Sequence, residues 1–135
     1  MIPRALRDPL SEASHQYAVA RHLEIYYPDC LFTISPNGMK LPFSVAYLFK
    51  LLGYRKGTSD LLILEQRKGY GGLFIEMKRL KGGKKSDDQK KFRQDALDRG
   101  YKAVFAEGSQ VAIAFIEDYL GPSRKMNIGA VLGKR

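Results

Sequence analysis

Gly57-Thr58-Ser59-Asp60-Leu61-Leu62-Ile63-Leu64 and, a few residues on, Leu73-Phe74-Ile75-Glu76-Met77-Lys78 are the stretches on which the reading turns. The run 60–64 is continuously apolar after its acid, as in a strand covered on both faces. Residues 66–72 form a Gly-rich connection, and 73–79 return as the next strand. Side chains alternate along a strand, so Phe74, Glu76 and Lys78 share one face while Leu73, Ile75 and Met77 share the other. If the two strands pair as an antiparallel hairpin, any register with an even residue sum brings Asp60 to the face of Glu76. A slip of one residue sends it to the opposite side. Two carboxylates at ~4 Å repel by roughly 4 kcal/mol at an effective dielectric near 20. One must then take up a proton, or a cation must neutralise both. Such a pair, with an ammonium beside it, can hold a divalent ion and an attacking water against a phosphate. A plain cross-strand salt bridge from either acid to Lys78 accounts for the same residues.

Outward from this pair, the chain reads αβαββαβα, an α/β fold with a mixed sheet between helices. A first helix spans 9–27, entered through Asp8-Pro9 or Ser11 and stopped before Pro28. Leu31-Phe32-Thr33-Ile34 is a strand closed by the turn signal Ser35-Pro36-Asn37-Gly38. Residues 44–52 form a short apolar helix ending at Gly53. It reads first as core and otherwise as a contact surface, together with the tail near Met126 to Leu132. Ser86 opens a helix to about Arg99, 102–106 form the fourth strand, and Ser109 to Leu120 the last helix, stopped by Gly121-Pro122. The domain occupies 1–120; the basic, aperiodic remainder, 121–135, is a tail.

Three features strengthen the chemical reading. Glu12 falls within the helical stripe Gln16, Val19, Ala20, Leu23 and Tyr27, where a carboxylate wants a partner or a metal. It is equally a first-turn acid favoured by the helix dipole. Ser86-Asp87-Asp88-Gln89 is a capping box, yet Gln89 shares a face with Phe92, Arg93 and Ala96 that can aim it at the strand carrying Glu76. Lys81-Gly82-Gly83-Lys84-Lys85 puts donor-rich backbone and more cations beside the acids. That suits a phosphate track, or is a solvated turn. His15 and His22 lie seven apart on one helix without a third ligand, and read as packing or surface residues.

Across 135 residues, 23 Lys and Arg stand against 14 Asp and Glu, a net charge of +9. That favours a polyanionic partner, chiefly nucleic acid. A single cysteine, Cys30, excludes an internal disulfide and a Cys-built zinc cage. No apolar run is long enough to span a bilayer, and the start lacks an apolar leader. An intracellular setting is expected.

These residues resemble the VRR-NUC family, the virus-type replication-repair nucleases of the PD-(D/E)XK superfamily. Gly57-Thr58-Ser59-Asp60-Leu61 is similar to the family's G-x-[PS]-D-[LI] motif, and Phe74-Ile75-Glu76-Met77-Lys78 to its E-x-K strand. Ser86-Asp87-Asp88-Gln89 resembles the S-x-x-Q helix start, with Gly100-Tyr101 following. Ser11-Glu12 and Gln16 resemble the amino-terminal helix, and Pro36-Asn37-Gly38 a turn common in the family. The resemblance runs in order from about 11 to 120. Ser59 stands where proline is commoner, and the Gly82-Gly83 loop is long and basic; neither departure removes a ligand.

The resemblance implies a restriction-endonuclease-like core. It implies Asp60, Glu76, the carbonyl of Met77 and, additionally, Glu12 around Mg²⁺ or Mn²⁺. Lys78 would position or activate the water, and Gln89 would border the site. It further implies a homodimeric phage or bacterial endonuclease acting on branched DNA such as four-way junctions. The competing expectations are a non-catalytic DNA-binding or scaffold protein that keeps the nuclease fold, and a restriction-type enzyme cutting duplex at a defined sequence.

Overall fold

The computed structural model describes residues 1–36 and 41–123. Asn37 and Gly38 of the expected turn, and the tail from 124 onward with its proposed contact segment at 126–132, lie outside the described residues. The elements run α1 (Glu12–Tyr26), β1 (Phe32–Ile34), α2 (Phe43–Leu51), β2 (Leu61–Ile63), β3 (Leu73–Lys78), α3 (Asp87–Asp98), β4 (Lys102–Glu107) and α4 (Ser109–Leu120). This is the expected αβαββαβα order, preceded by an unanticipated 3-10 turn at Arg4–Leu6. Ser11, not Asp8-Pro9, opens α1, its hydroxyl accepting from the Ser14 amide.

The four strands form one sheet in the order β1-β2-β3-β4. β1–β2 and β2–β3 are antiparallel, and β3–β4 are parallel, with α3 as the crossover. The β2–β3 hairpin closes through an Arg67–Tyr70 bridge. Its central pair, Lys68 (φ 53°) and Gly69 (φ 83°), both take positive φ, the twist that a tight hairpin favours.

One sheet face builds the core. Leu61, Ile63, Leu73, Ile75 and Met77 are buried there with Val19 and Leu23 of α1 and Ala112, Ile116 and Tyr119 of α4. Tyr119 satisfies its hydroxyl on the Glu65 carbonyl (2.7 Å), and Tyr27 satisfies its own on Gly121 (2.8 Å). On the opposite face α3 lies over Phe74, whose ring stacks on Tyr101 at 4.8 Å and meets Phe92 at 6.1 Å. Both faces are thus occupied, but unevenly. Leu62 is half-buried, and Leu64, past the end of β2, is exposed, so the expected two-sided cover does not extend along the whole run.

The first expectation for the apolar helix fails. α2 buries none of its residues, and Phe43, Tyr47, Leu48 and Leu51 are all exposed, as is Leu52 after it. The core face is already filled by α1 and α4, so apolar composition on α2 marks a surface in want of cover rather than a core element. Among the described residues no helix is long and apolar enough to cross a membrane.

Candidate active site

Pairing of Leu61 with Ile75 and Leu62 with Phe74 fixes an even-sum register in the β2–β3 hairpin. Carried one step past β2, it sets Asp60 across from Glu76, on the face shared with Lys78. All three are buried, with relative exposures of 7%, 4% and 5%. Asp60 sits where the ladder stops, and there its Oδ2 accepts the Met77 amide at 2.8 Å. The carboxylate thereby stands in for a missing strand partner and is fixed in place.

Burial pushes the Glu76 carboxyl up to about 10; a hydrogen bond with Asp60 and that residue's charge push the same way, Lys78 opposes, and Glu12 adds to the rise. Glu76 therefore holds its proton well above the usual carboxylate range, as burial beside a like charge requires. Lys78 Nζ donates to the Lys84 carbonyl (2.6 Å) and to Gln89 Oε1 (2.8 Å). Gln89 Oε1 also accepts the Ser86 amide at 3.0 Å, and the Gln89 amide returns to Ser86 Oγ at 3.1 Å. The capping box and the contact to the strand lysine are both made, by the same oxygen.

What locks the Asp60 turn to α3 is Gly57. Its φ is +91°, and a Cβ built on it would lie 2.4 Å from the Asp88 carbonyl carbon and oxygen and 2.8 Å from the Gln89 nitrogen. Only a residue without a side chain lets the turn bearing Asp60 press onto the helix start bearing Gln89. Gly57→Ala is expected to cost about 1–3 kcal/mol from backbone strain before the clash is counted. Thermal melts in EDTA should show a drop of several degrees; an unchanged midpoint would contradict the packing argument.

Glu12 is half-buried at the first turn of α1, within electrostatic reach of Glu76. Among the described residues no three His, Cys, Asp or Glu side chains gather closely enough to make a metal-ligand group. The structure brings together Asp60, Glu76, Lys78 and Gln89, with the Met77 amide on Asp60 and Glu12 near enough for its charge to act on Glu76. A pair of buried carboxylates that cannot both ionise nevertheless fits a hard divalent cation, since oxygen-only donors of summed negative charge are what such an ion takes. Tyr54 is a neighbour that sequence reasoning missed. Its hydroxyl is hydrogen-bonded to Ser35, and burial, Glu76 and Asp60, in that order, raise it. Nothing in spacing or periodicity singles out a tyrosine six residues before Asp60.

The histidines behave as packing groups. His15 Nδ1 accepts the Ser109 amide at 3.0 Å and so caps α4 from α1. His22 lies against Tyr26 at 4.7 Å between ring centres, with Nε2 3.5 Å from Glu117 but not aligned as a hydrogen bond.

No family model and no curated protein matches the sequence. The fold does find a counterpart. The chain is similar to a solved structure described as a VRR_NUC domain protein, at 27% identity and a TM-score of 0.72, covering 84% of this chain and 90% of the other. That likeness bears out the family resemblance of the motifs, and with it the nuclease-type α/β fold.

Proposed function

We propose that the protein is a Mg²⁺- or Mn²⁺-dependent DNA endonuclease, structure-selective for branched DNA such as four-way junctions. The observation that carries this reading is the buried facing pair Asp60–Glu76 with Lys78 on the same sheet face. The similar solved structure, a VRR_NUC domain protein, supports the nuclease class. The net charge of +9 supports a polyanionic substrate.

In this reading Asp60 and Glu76, with the Met77 carbonyl and Glu12 as further oxygen donors, would hold the cation. When bound, it polarises the scissile phosphate and lowers the pKa of a water. The chain's own contribution is orientation. The Met77 amide holds Asp60 in place, and Glu76 would face the ion beside it as a carboxylate donor. Lys78 steers the attacking oxygen in line and offsets the negative charge that gathers on the phosphate. Gln89 sets the height of the lysine ammonium. The Lys81–Lys85 loop supplies phosphate contacts that read backbone geometry rather than base edges.

Paired incision of a two-fold junction asks for two sites, and a second copy docking through α2 would provide them. The exposed row Phe43, Tyr47 and Leu51, spaced at one helical turn, is the surface this assigns to the homodimer. Residues 1–120 would then be the working domain, and the basic segment 121–135 a tail adding to the contact. The protein would act in the cytoplasm of a bacterium, or of the host cell if phage-encoded.

A panel of labelled junctions, flaps, nicked duplexes and single strands, incubated with and without Mn²⁺, tests the proposal. Metal-dependent cutting confined to branched forms is expected. Salt-sensitive binding without cleavage of any member would identify a non-catalytic binder instead.

A further inference from the structure

Beside the carboxylate pair lies a second feature that the nuclease chemistry does not use. Between α2 and α3 opens a cleft of about 540 Å³ lined by Ala46, Lys50, Tyr54, Lys56, Lys91 and Phe92. Arg55 completes its four cations, against Asp88 and Asp95 as its two acids. Apolar and aromatic surface forms much of the lining, and basic side chains surround it. Lys56 pairs with Asp88 at 3.8 Å and Lys91 with Asp95 at 2.8 Å, exposed pairs that leave the lining with an excess of two positive charges. A second hollow of about 370 Å³ shares Arg55 and Phe92 with the first and continues past Phe74, Arg99 and Tyr101.

Two walls of the cleft are extensions of the site. Tyr54 stands in the segment that leads through Gly57 to Asp60. Asp88 directly precedes Gln89, whose side chain holds Lys78. The close seating of Gly57 on Asp88 and Gln89 fixes these walls against one another. The cleft thus adjoins the first turn of α3, the turn that carries Gln89.

We propose that the cleft takes an unpaired nucleotide flanking the cleaved phosphate, its base against Tyr54 and Phe92 and its phosphate on Lys50, Lys56 and Lys91. This rests on the nuclease reading above and adds a substrate requirement to it: the strand must be able to release a base next to the cut. A volume of this order suits a nucleotide-sized ligand. Aromatic rings rimmed by cations are how proteins hold single-stranded bases without reading their edges, and each stacked base contributes about 1–3 kcal/mol. A base still paired in duplex cannot enter. The cleft therefore selects junction points, flaps and bulges through local unpairing rather than through global shape.

The test uses the full chain in EDTA, where cleavage plays no part. Fluorescence anisotropy compares a duplex carrying one bulged nucleotide with a fully paired duplex of equal length. Wild type is expected to prefer the bulged form at least fivefold. Ala46→Trp, at an exposed position on the cleft wall, plugs the space. It should erase the preference by weakening the bulged complex alone. A second measurement needs no variant: 2-aminopurine placed as the unpaired base should be quenched several-fold on binding, and the same base in paired duplex should not. Equal affinities for the two duplexes, a preference untouched by Ala46→Trp, or no quenching overturns the inference. If metal-dependent cutting persists in that case, only the cleft assignment falls. If neither duplex binds, the nuclease reading falls with it.

Discussion

Glu76→Gln is expected to lower DNA cleavage by about a thousandfold or more and, at the same time, to stabilise the metal-free protein above neutral pH. The two effects have one cause. Glu76 is 4% exposed and faces Asp60, and its carboxyl is pushed from 4.5 up to about 10. Below pH 4.5 the group is protonated whether the chain is folded or not, so it contributes nothing to pH dependence. Between about 4.5 and 10 the folded chain holds a proton that the unfolded chain has released. Folding then takes up that proton, and stability falls as pH rises through the window, with a slope of at most about 1.4 kcal/mol per pH unit from this group. Glutamine keeps the shape, can donate to Asp60 and has nothing to ionise, so its melting midpoint should vary less with pH. The same exchange removes the negative charge that a divalent ion would use to displace the proton. Mn²⁺ should therefore raise the melting midpoint of wild type, with proton release, and leave the variant unmoved. Melts at several pH values, with EDTA or Mn²⁺, read both effects beside single-turnover cleavage. A variant that cuts like wild type would remove Glu76 from the chemistry, and identical pH slopes would remove it from the stability argument.

How far the sequence led can be judged residue by residue. The Asp60–Glu76 juxtaposition was legible up to one unknown, register, because strand side chains repeat every two residues and only the parity of the pairing mattered. The observed partners Leu61 and Ile75 settle it. Gln89 was legible in both its roles because a capping box fixes the rotamer that a neighbouring strand then meets. Glu12 was legible only as an acid on a half-buried helical stripe. Periodicity tells which way a side chain leaves the helix, not how far it stands from an ion, and the structure adds that the charge of Glu12 reaches Glu76. α2 misled because burial depends on what else competes for the sheet, a property of the whole fold. Tyr54 and the cleft were invisible for a related reason: they arise where a turn, a helix wall and a helix start converge, and no local pattern encodes that meeting.

Lys78 carries the other large expected effect, and its surroundings separate catalysis from architecture. Its ammonium makes two hydrogen bonds, to the Lys84 carbonyl and to Gln89 Oε1, and so ties both the basic loop and the start of α3 to β3. The loop closes over it tightly, since a Cβ on Gly83 would stand 3.2 Å from Lys78 Cβ. Lys78→Ala removes charge, bonds and volume together. It is expected to abolish measurable cleavage and to cost about 1–3 kcal/mol of stability through the buried groups left unpaired. Lys78→Met keeps most of the stem and should fold better, yet should still lose on the order of 10²–10³ in rate, the usual effect of deleting one charge-stabilising donor. Lys78→Arg is expected not to rescue, because a planar fork cannot place a single point charge between Lys84 and Gln89 in so closed a space. Binding of junction DNA in EDTA should stay within about threefold of wild type in the methionine variant, since sequence-independent affinity comes from many exposed cations rather than from one buried one. Single-turnover rates beside those affinities give the answer. A methionine variant that cuts at the wild-type rate would reduce Lys78 to a fastening between the loop and the helix, and the nucleophile would then need another partner on the same face of the sheet.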